Sequence, residues 1–416
     1  MKVVHVSTYH TFGGAAIAAL RLHHALLSEG IDSTVLVQEK ARDEKGVEAY
    51  ATGFFAQKKA LARFASERLY FALQEKDKSV RFHFSPLLTG VDVTAHPLVR
   101  EADIIHLHWI NFGFLSLGSL EKLAALGKPV VWTMHDMSTF TGGCHYSRDC
   151  DKYLTHCHHC PYLRQPAAHD LAYRVFERKV RLFKNTSFTL VSPSQWLADL
   201  ARKAGTTRHL STRAIPNLID TAVFQPIERK PAKIKLDLDT RKKWILFAGV
   251  NTQDPRKGFA YFKEATHLLK DKRDEWGVVV IGKAGSESMA ELGLEVKLLG
   301  SVPSHEIVKV YQAADVMVVP SLEDNYPNTV IEAMACGTPV VGFDTGGIPE
   351  QILHLQTGYV ARLASAEDLA NGIQFVLENP DYDSLSQKNR EIIEQRNAPS
   401  VVAKQFLHLY HQLLSV

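Results

Sequence analysis

Residues 318–350 read VVPSLEDNYPNTVIEAMACGTPVVGFDTGGIPE and hold the densest set of side chains able to do chemistry. A short apolar strand (316–319) runs into Pro320 and Ser321, then a polar loop, then a short helix opened by Asn328 and Thr329 and closed near Gly337. A second strand (339–343) ends in Asp344-Thr345-Gly346-Gly347. This is one βαβ crossover with a polar loop at the C-terminal end of each strand, where open α/β sheets bind ligands. The helix start offers backbone N–H groups and a positive dipole end, which suit a phosphate. Glu332, one turn further in, can accept two hydrogen bonds from a vicinal diol. Phosphate and diol on one short element describe a nucleotide. The bland alternative is a buried βαβ unit with a solvated loop, but such a loop has no need of Asp-Asn-x-Pro-Asn-Thr ahead of a helix.

Three other places carry chemistry. Gly13-Gly14, between the first strand and the first helix, lets backbone approach a ligand closely, although a plain tight turn would look the same. His135 follows an apolar strand (130–134), and the strand-end rule points it at an interdomain cleft; a neutral imidazole there can take or give a proton near pH 7. Cys144, Cys150, Cys157 and Cys160 crowd into GGCHYSRDCDKYLTHCHHCP, with Cys336 alone elsewhere. In a reducing compartment, clustered thiols ending in C-x-x-C suggest tetrahedral zinc, with disulfides or ordinary buried thiols as alternatives. Four cysteines fill a zinc shell, so such a site is structural; His145, His156, His158 or His159 could replace one ligand.

The 318–350 segment resembles the donor-binding core of glycosyltransferase family 4, retaining enzymes of GT-B architecture, in which a carboxylate, seven residues and a glutamate precede Ala-Met-Ala-Cys-Gly-x-Pro-Val-Val. Glu332 falls on the second carboxylate and Asp324 on the first, with Glu323 beside it. The resemblance implies a nucleotide-diphosphate sugar donor (UDP- or GDP-linked), with Asn325, Asn328, Thr329 and Glu332 contacting it. It places Lys257, in Asp254-Pro255-Arg256-Lys257-Gly258, on the family's Lys-Gly motif, where a cation offsets charge growing on the departing pyrophosphate. Arg256 stands in for an arginine the family carries earlier, where this chain has Val250-Asn251. The family's Gly-rich loop over the donor phosphates corresponds to Gly13 and Gly14. Its Thr-x-His-Asp histidine, a contact of the transferred sugar, corresponds to His135; His108, Trp109 and Asn111 look like acceptor-side residues. The catalytic pair implied is His135 and Asp324, stabilising an oxocarbenium-like state with no enzyme nucleophile and no catalytic metal. The cysteine loop resembles that of a branch with Thr-Gly-Gly-Cys-His-Tyr and three more cysteines, the colanic-acid-type polysaccharide glycosyltransferases.

Two cores must position these residues. At 416 residues the chain exceeds one ordinary domain. Apolar strands at 3–7, 33–38, 102–108, 129–134, 187–193 and 213–217 alternate with amphipathic helices, and the pattern restarts at 243–249, 277–282 and 296–300. This is α/β grammar, two doubly wound parallel sheets covered on both faces, and the family resemblance implies that they are Rossmann-like and face a cleft in the GT-B manner. The expected domains are 1–217, on the acceptor side and carrying the Cys loop at 144–160, and 218–399, binding the nucleotide sugar. The resemblance implies that a C-terminal helix over 400–416 packs back toward the first. Base contacts fall on backbone around Gly282-Lys283-Ala284 and Gly300-Ser301-Val302.

Composition bounds the rest. Apolar residues make up 45% and charged residues 22%, with 48 basic against 45 acidic side chains and a net charge of +3, which argues against a nucleic-acid module. No run approaches the ~20 apolar residues of a membrane span, and the N-terminus opens a strand rather than a signal peptide, so the cytoplasm is expected. Residues 54–84 form a basic, aromatic-rich helical region, either a solvated helix packed on its own domain or a peripheral contact with the anionic inner-membrane face. The function expected is retaining sugar transfer to a glycan or lipid-linked acceptor in surface polysaccharide synthesis. A sugar-nucleotide epimerase or another non-transferase on the same scaffold is the alternative.

Overall fold

The computed structural model describes all residues except 252–253, 284–290, 304 and 416, and only the backbone at 250, 251 and 283. Of the proposed base-contact residues, Ala284 lies outside the described residues. The chain divides into two compact units, Met1–Asn217 with Val402–Val416, and Leu218–Val401.

The first unit is built on seven parallel strands: β1 (Lys2–Tyr9), β2 (Asp32–Glu39), β3 (Val47–Ala49), β4 (Ile104–Leu107), β5 (Val130–Thr133), β6 (Thr189–Ser192) and β7 (Thr212–Ala214). Their order is β3-β2-β1-β4-β5-β6-β7. β4, β5 and β6 are buried along their whole length, as strands covered on both faces must be, and so read as mainly apolar runs, with His106 the polar residue inside β4. The helix Gly14–Ser28 returns β1 to β2, and the terminal helix Pro399–Leu414 lays Phe406 and Tyr410 against His106 of β4.

The second unit carries β8 (Lys243–Asn251), β9 (Trp276–Lys283), β10 (Glu295–Gly300), β11 (Val316–Val319), β12 (Val340–Phe343) and β13 (Gly358–Ala361), in the order β10-β9-β8-β11-β12-β13. Both sheets reverse strand order next to their first strand, between β1 and β4 and between β8 and β11, and such a reversal opens a crevice at the strands' carboxyl ends. Two strands depart from the expectation, β3 and β13. β3 is three residues long, and β13 begins with glycine and is half-buried at its centre, so neither gives an apolar run.

Candidate active site

In the second unit the loops after β8, β11 and β12 converge on one carboxylate. Lys257 Nζ lies 2.6 Å from Asp324 Oδ2. Arg256 approaches the same oxygen at 3.7 Å, donates to the Glu323 carbonyl at 3.0 Å and pairs with Asp254 at 3.4 Å. Burial pushes the Asp324 carboxyl up, but the adjacent Lys257 and Arg256 charges outweigh it and hold the group below its ordinary range. Of the two neighbouring acids, Asp324 is therefore the one joined to both cations by side-chain contacts.

Backbone packing fixes this geometry. Gly258 has φ +66°, and a Cβ there would lie 1.7 Å from the Pro320 carbonyl oxygen; Gly346 has φ +57°, and its Cβ would lie 1.8 Å from the Asp324 carbonyl oxygen. Only glycine allows both the left-handed turn and the close approach. The Leu322 N–H bonds the Arg256 carbonyl at 2.8 Å and the Thr345 hydroxyl bonds the Leu322 carbonyl at 2.9 Å, so the carboxylate loop is pinned on both flanks.

The helix Asn328–Ala335 follows Pro327, which occupies its N-cap. The helix therefore opens on Asn328 and Thr329 as read from sequence, with Pro327 and no side-chain hydrogen bond at its cap. Asn325 is buried, and Asn328 and Thr329 are half-buried beside it. Glu332 is buried one turn in, and its Oε2 accepts a hydrogen bond from the buried Tyr311 hydroxyl at 2.8 Å. One carboxylate oxygen is thereby held by the protein, which orients the group.

In the first unit Gly13 and Gly14 are exposed at the start of the first helix, with open space around Gly13. His135 follows β5, half-buried, its Nε2 3.3 Å from His108 Nδ1. Burial pushes His135 down to about 4 against the opposing charge of Asp136, so it is neutral at pH 7 and does not titrate there. His108 and Asn111 are buried; the Asn111 side-chain amide donates to the Ser138 hydroxyl at 3.3 Å and the Asn111 backbone carbonyl accepts from the Thr8 hydroxyl at 2.9 Å. Trp109 stacks on Tyr9 and donates to Asp136 at 3.1 Å. His108 and Asn111 thus serve first as framework for His135 and the loop behind it.

Cys144, Cys150, Cys157 and Cys160 are unpaired thiols lining one cavity of about 20 Å³, a volume that suits a single ion or water. Burial and neighbouring sulfurs raise the Cys144 thiol to about 12 and those of Cys157 and Cys160 further. Beneath them the buried Lys179 donates to the Thr141 carbonyl at 2.8 Å and to that of Ser138. Burial lowers this amine to about 8, opposed by Cys157 and Cys144. The donor set suits zinc, although the one group of three ligand atoms within 4.8 Å of one another among the described residues is His5, His106 and His108. Zinc would have to draw the sulfurs closer together.

Sequence reasoning passed over Lys179, His5, His106 and Tyr410. Lys179 left a trace, a lysine on the apolar face of an amphipathic helix beside Val175, Phe176 and Leu182. His5 of β1 stands opposite His106 of β4, a relation visible only once the two strands are paired.

Comparison with known proteins finds a match for each of the two units. The profile "Glycosyltransferase Family 4" matches residues 12–223, and "Glycosyl transferases group 1" matches residues 228–396. The D-inositol 3-phosphate glycosyltransferase of Pseudarthrobacter chlorophenolicus is 27% identical over 321 residues, 74% of this chain and 70% of that protein. WcaC of Escherichia coli, provisionally named a colanic acid biosynthesis glycosyl transferase, is 26% identical over 363 residues, 82% of each chain. Among solved structures, HepE of Anabaena in complex with UDP-glucose superposes with a TM-score of 0.66 at 18% identity, over 99% of this chain and 100% of that one. The two parallel sheets are those of the GT-B architecture. Because the family 4 profile, residues 12–223, spans half of the chain, this protein belongs to glycosyltransferase family 4.

Proposed function

We propose that this glycosyltransferase moves a sugar from a nucleoside diphosphate sugar, with retention of configuration, to a glycan or lipid-linked acceptor in surface polysaccharide synthesis. The observation that carries the reading is the convergence of Lys257, Arg256 and Asp324 at the strand reversal of the second sheet, with Glu332 one turn into the adjoining helix. Lys257 and Arg256 neutralise the departing pyrophosphate, Glu332 holds the ribose diol, and Asn325, Asn328 and Thr329 line the start of the helix beside the phosphates. Asp324, freed from Lys257 by the incoming phosphate, faces the sugar; His135 is the second residue this reading assigns to the chemistry, and the acceptor hydroxyl attacks on the face the leaving group vacates, its proton passing to the departing diphosphate. The first unit supplies the acceptor side. The likeness to WcaC, over 82% of each chain, supports a polysaccharide acceptor.

Two further assignments belong to this reading. Zinc on Cys144, Cys150, Cys157 and Cys160 ties down the loop after His135 and takes no part in the chemistry. The helix Phe54–Ala72 exposes Phe54, Phe55, Leu61 and Leu69 with Lys58 and Lys59, and its one acid, Glu67, is buried. It rests on an anionic membrane face from the cytoplasm, near a lipid-linked acceptor.

The deciding experiment incubates the protein with a panel of UDP- and GDP-sugars, with and without polyprenyl-linked acceptors, and follows nucleoside diphosphate release and the anomeric configuration of the product by NMR. Acceptor-dependent release with the donor's anomeric configuration kept is expected. An epimerised sugar nucleotide, or an inverted product, would overturn the proposal.

A further inference from the structure

Three imidazoles of the first unit stand in a file. His5 Nδ1 lies 3.0 Å from His108 Nε2, and His108 Nδ1 lies 3.3 Å from His135 Nε2. At the inner end His5 Nε2 is buried and meets no hydrogen-bonding partner among the described residues. His106 packs alongside, its ring 4.3 Å from that of His108 and 5.0 Å from that of His5. Its own nitrogens are taken by the Tyr410 and Thr133 hydroxyls, each at 2.7 Å, so it walls the file without joining it.

A neutral imidazole has one N–H and one lone pair. A ring bonded through both nitrogens must therefore donate on one side and accept on the other, and all protons in the file point the same way. Pointing inward, they would leave an N–H at His5 Nε2 with no acceptor. Pointing outward, they leave only a lone pair there. Buried N–H groups without a partner are rarer in folded proteins than under-used acceptors, which favours the outward direction. Burial and the nearness of the other rings keep His5 and His108 uncharged, so protonation does not scramble the file near pH 7.

We propose that His5 and His108 are positioning residues that fix His135 as its Nδ1–H tautomer, so that His135 meets the transferred sugar as a hydrogen-bond donor to an oxygen lone pair and not as a proton acceptor. The last clause rests on the reading of His135 as a sugar contact; the tautomer does not.

The test is ¹⁵N NMR of histidine-labelled full-length protein, with His135→Asn used to assign the signal. Between about pH 6 and 8 the wild type should carry the His135 proton on Nδ1. His5→Leu, which cannot donate, should give a mixture of tautomers and lower kcat by about tenfold with little change in donor KM. His5→Gln, whose amide can donate to His108 Nε2, should restore both. A wild-type His135 protonated on Nε2 overturns the proposal even if neither variant folds, and so does an unchanged His135 tautomer in folded His5→Leu. Normal turnover by His135→Ala, with the Nδ1–H tautomer present in the wild type, would strike down the sugar-contact reading and the donor role while leaving the file standing.

Discussion

Lys257 and Asp324 are each other's counterion before any donor arrives, so replacing either changes more than one contact. For Lys257→Ala we expect roughly a hundredfold loss of kcat with acceptor KM little changed, because the cation matters most while charge grows on the leaving pyrophosphate. Near-normal turnover would remove Lys257 from that role. Glu332 is different: Tyr311 already holds one oxygen, and the diol needs the remaining acceptor capacity. Glu332→Gln should fold normally and weaken nucleotide binding by roughly tenfold or more, the cost of a charge-assisted bond at about 1.5–3 kcal/mol. Calorimetry showing unchanged nucleotide affinity would place Glu332 outside the site.

The cysteine loop and the sheets are where legibility in the sequence divides. Buried parallel strands such as β5 and β11 were readable because nothing polar interrupts them. The short edge strand β3 and the glycine-led β13 were not, because their pairing comes from a neighbour and not from their own composition. Of the candidate site, the placement of Asp324, Lys257 and Glu332 after strands and at a helix start was legible because a strand-loop-helix order confines them locally. The His106–Tyr410 bond joins residues 304 positions apart, and no local pattern announces it. Four thiols around one cavity give the element-scale prediction. Protein prepared without chelators should hold about one zinc per chain, and Cys157→Ser should lose both zinc and transfer activity while keeping nucleotide affinity, since the loop belongs to the first unit. Metal analysis finding no zinc, with the thiols free or paired, would return the loop to an ordinary buried segment.

For the molecule as a whole, the uneven surface of the first unit matters. No helix among the described residues is long and apolar enough to cross a membrane. Yet Phe54 and Phe55 are 67% and 81% exposed on a helix whose exposed charges are all basic. In flotation with vesicles of mixed zwitterionic and anionic lipid, the protein should rise with the lipid at low salt and be released as ionic strength increases. Lys58→Glu combined with Phe55→Ser should abolish flotation without altering transfer to a water-soluble acceptor. Equal flotation with purely zwitterionic vesicles would show that charge is not what holds it.

The carbonyl oxygens of Pro320 and Asp324 press against Gly258 and Gly346 with no room for a single added carbon. This separates what can drift in evolution from what cannot. The backbone around the donor loops behaves as a fixed rail, while side chains such as Asn325, Asn328 and Arg256 are passengers that can be exchanged one at a time without moving it. A saturation library should return glycine alone at 258 and 346 and a range of residues at 325 and 328 when selected for folding rather than activity. New donor sugars would then be reached by changing passengers, and a chain that lost either glycine would lose the site before it could acquire another.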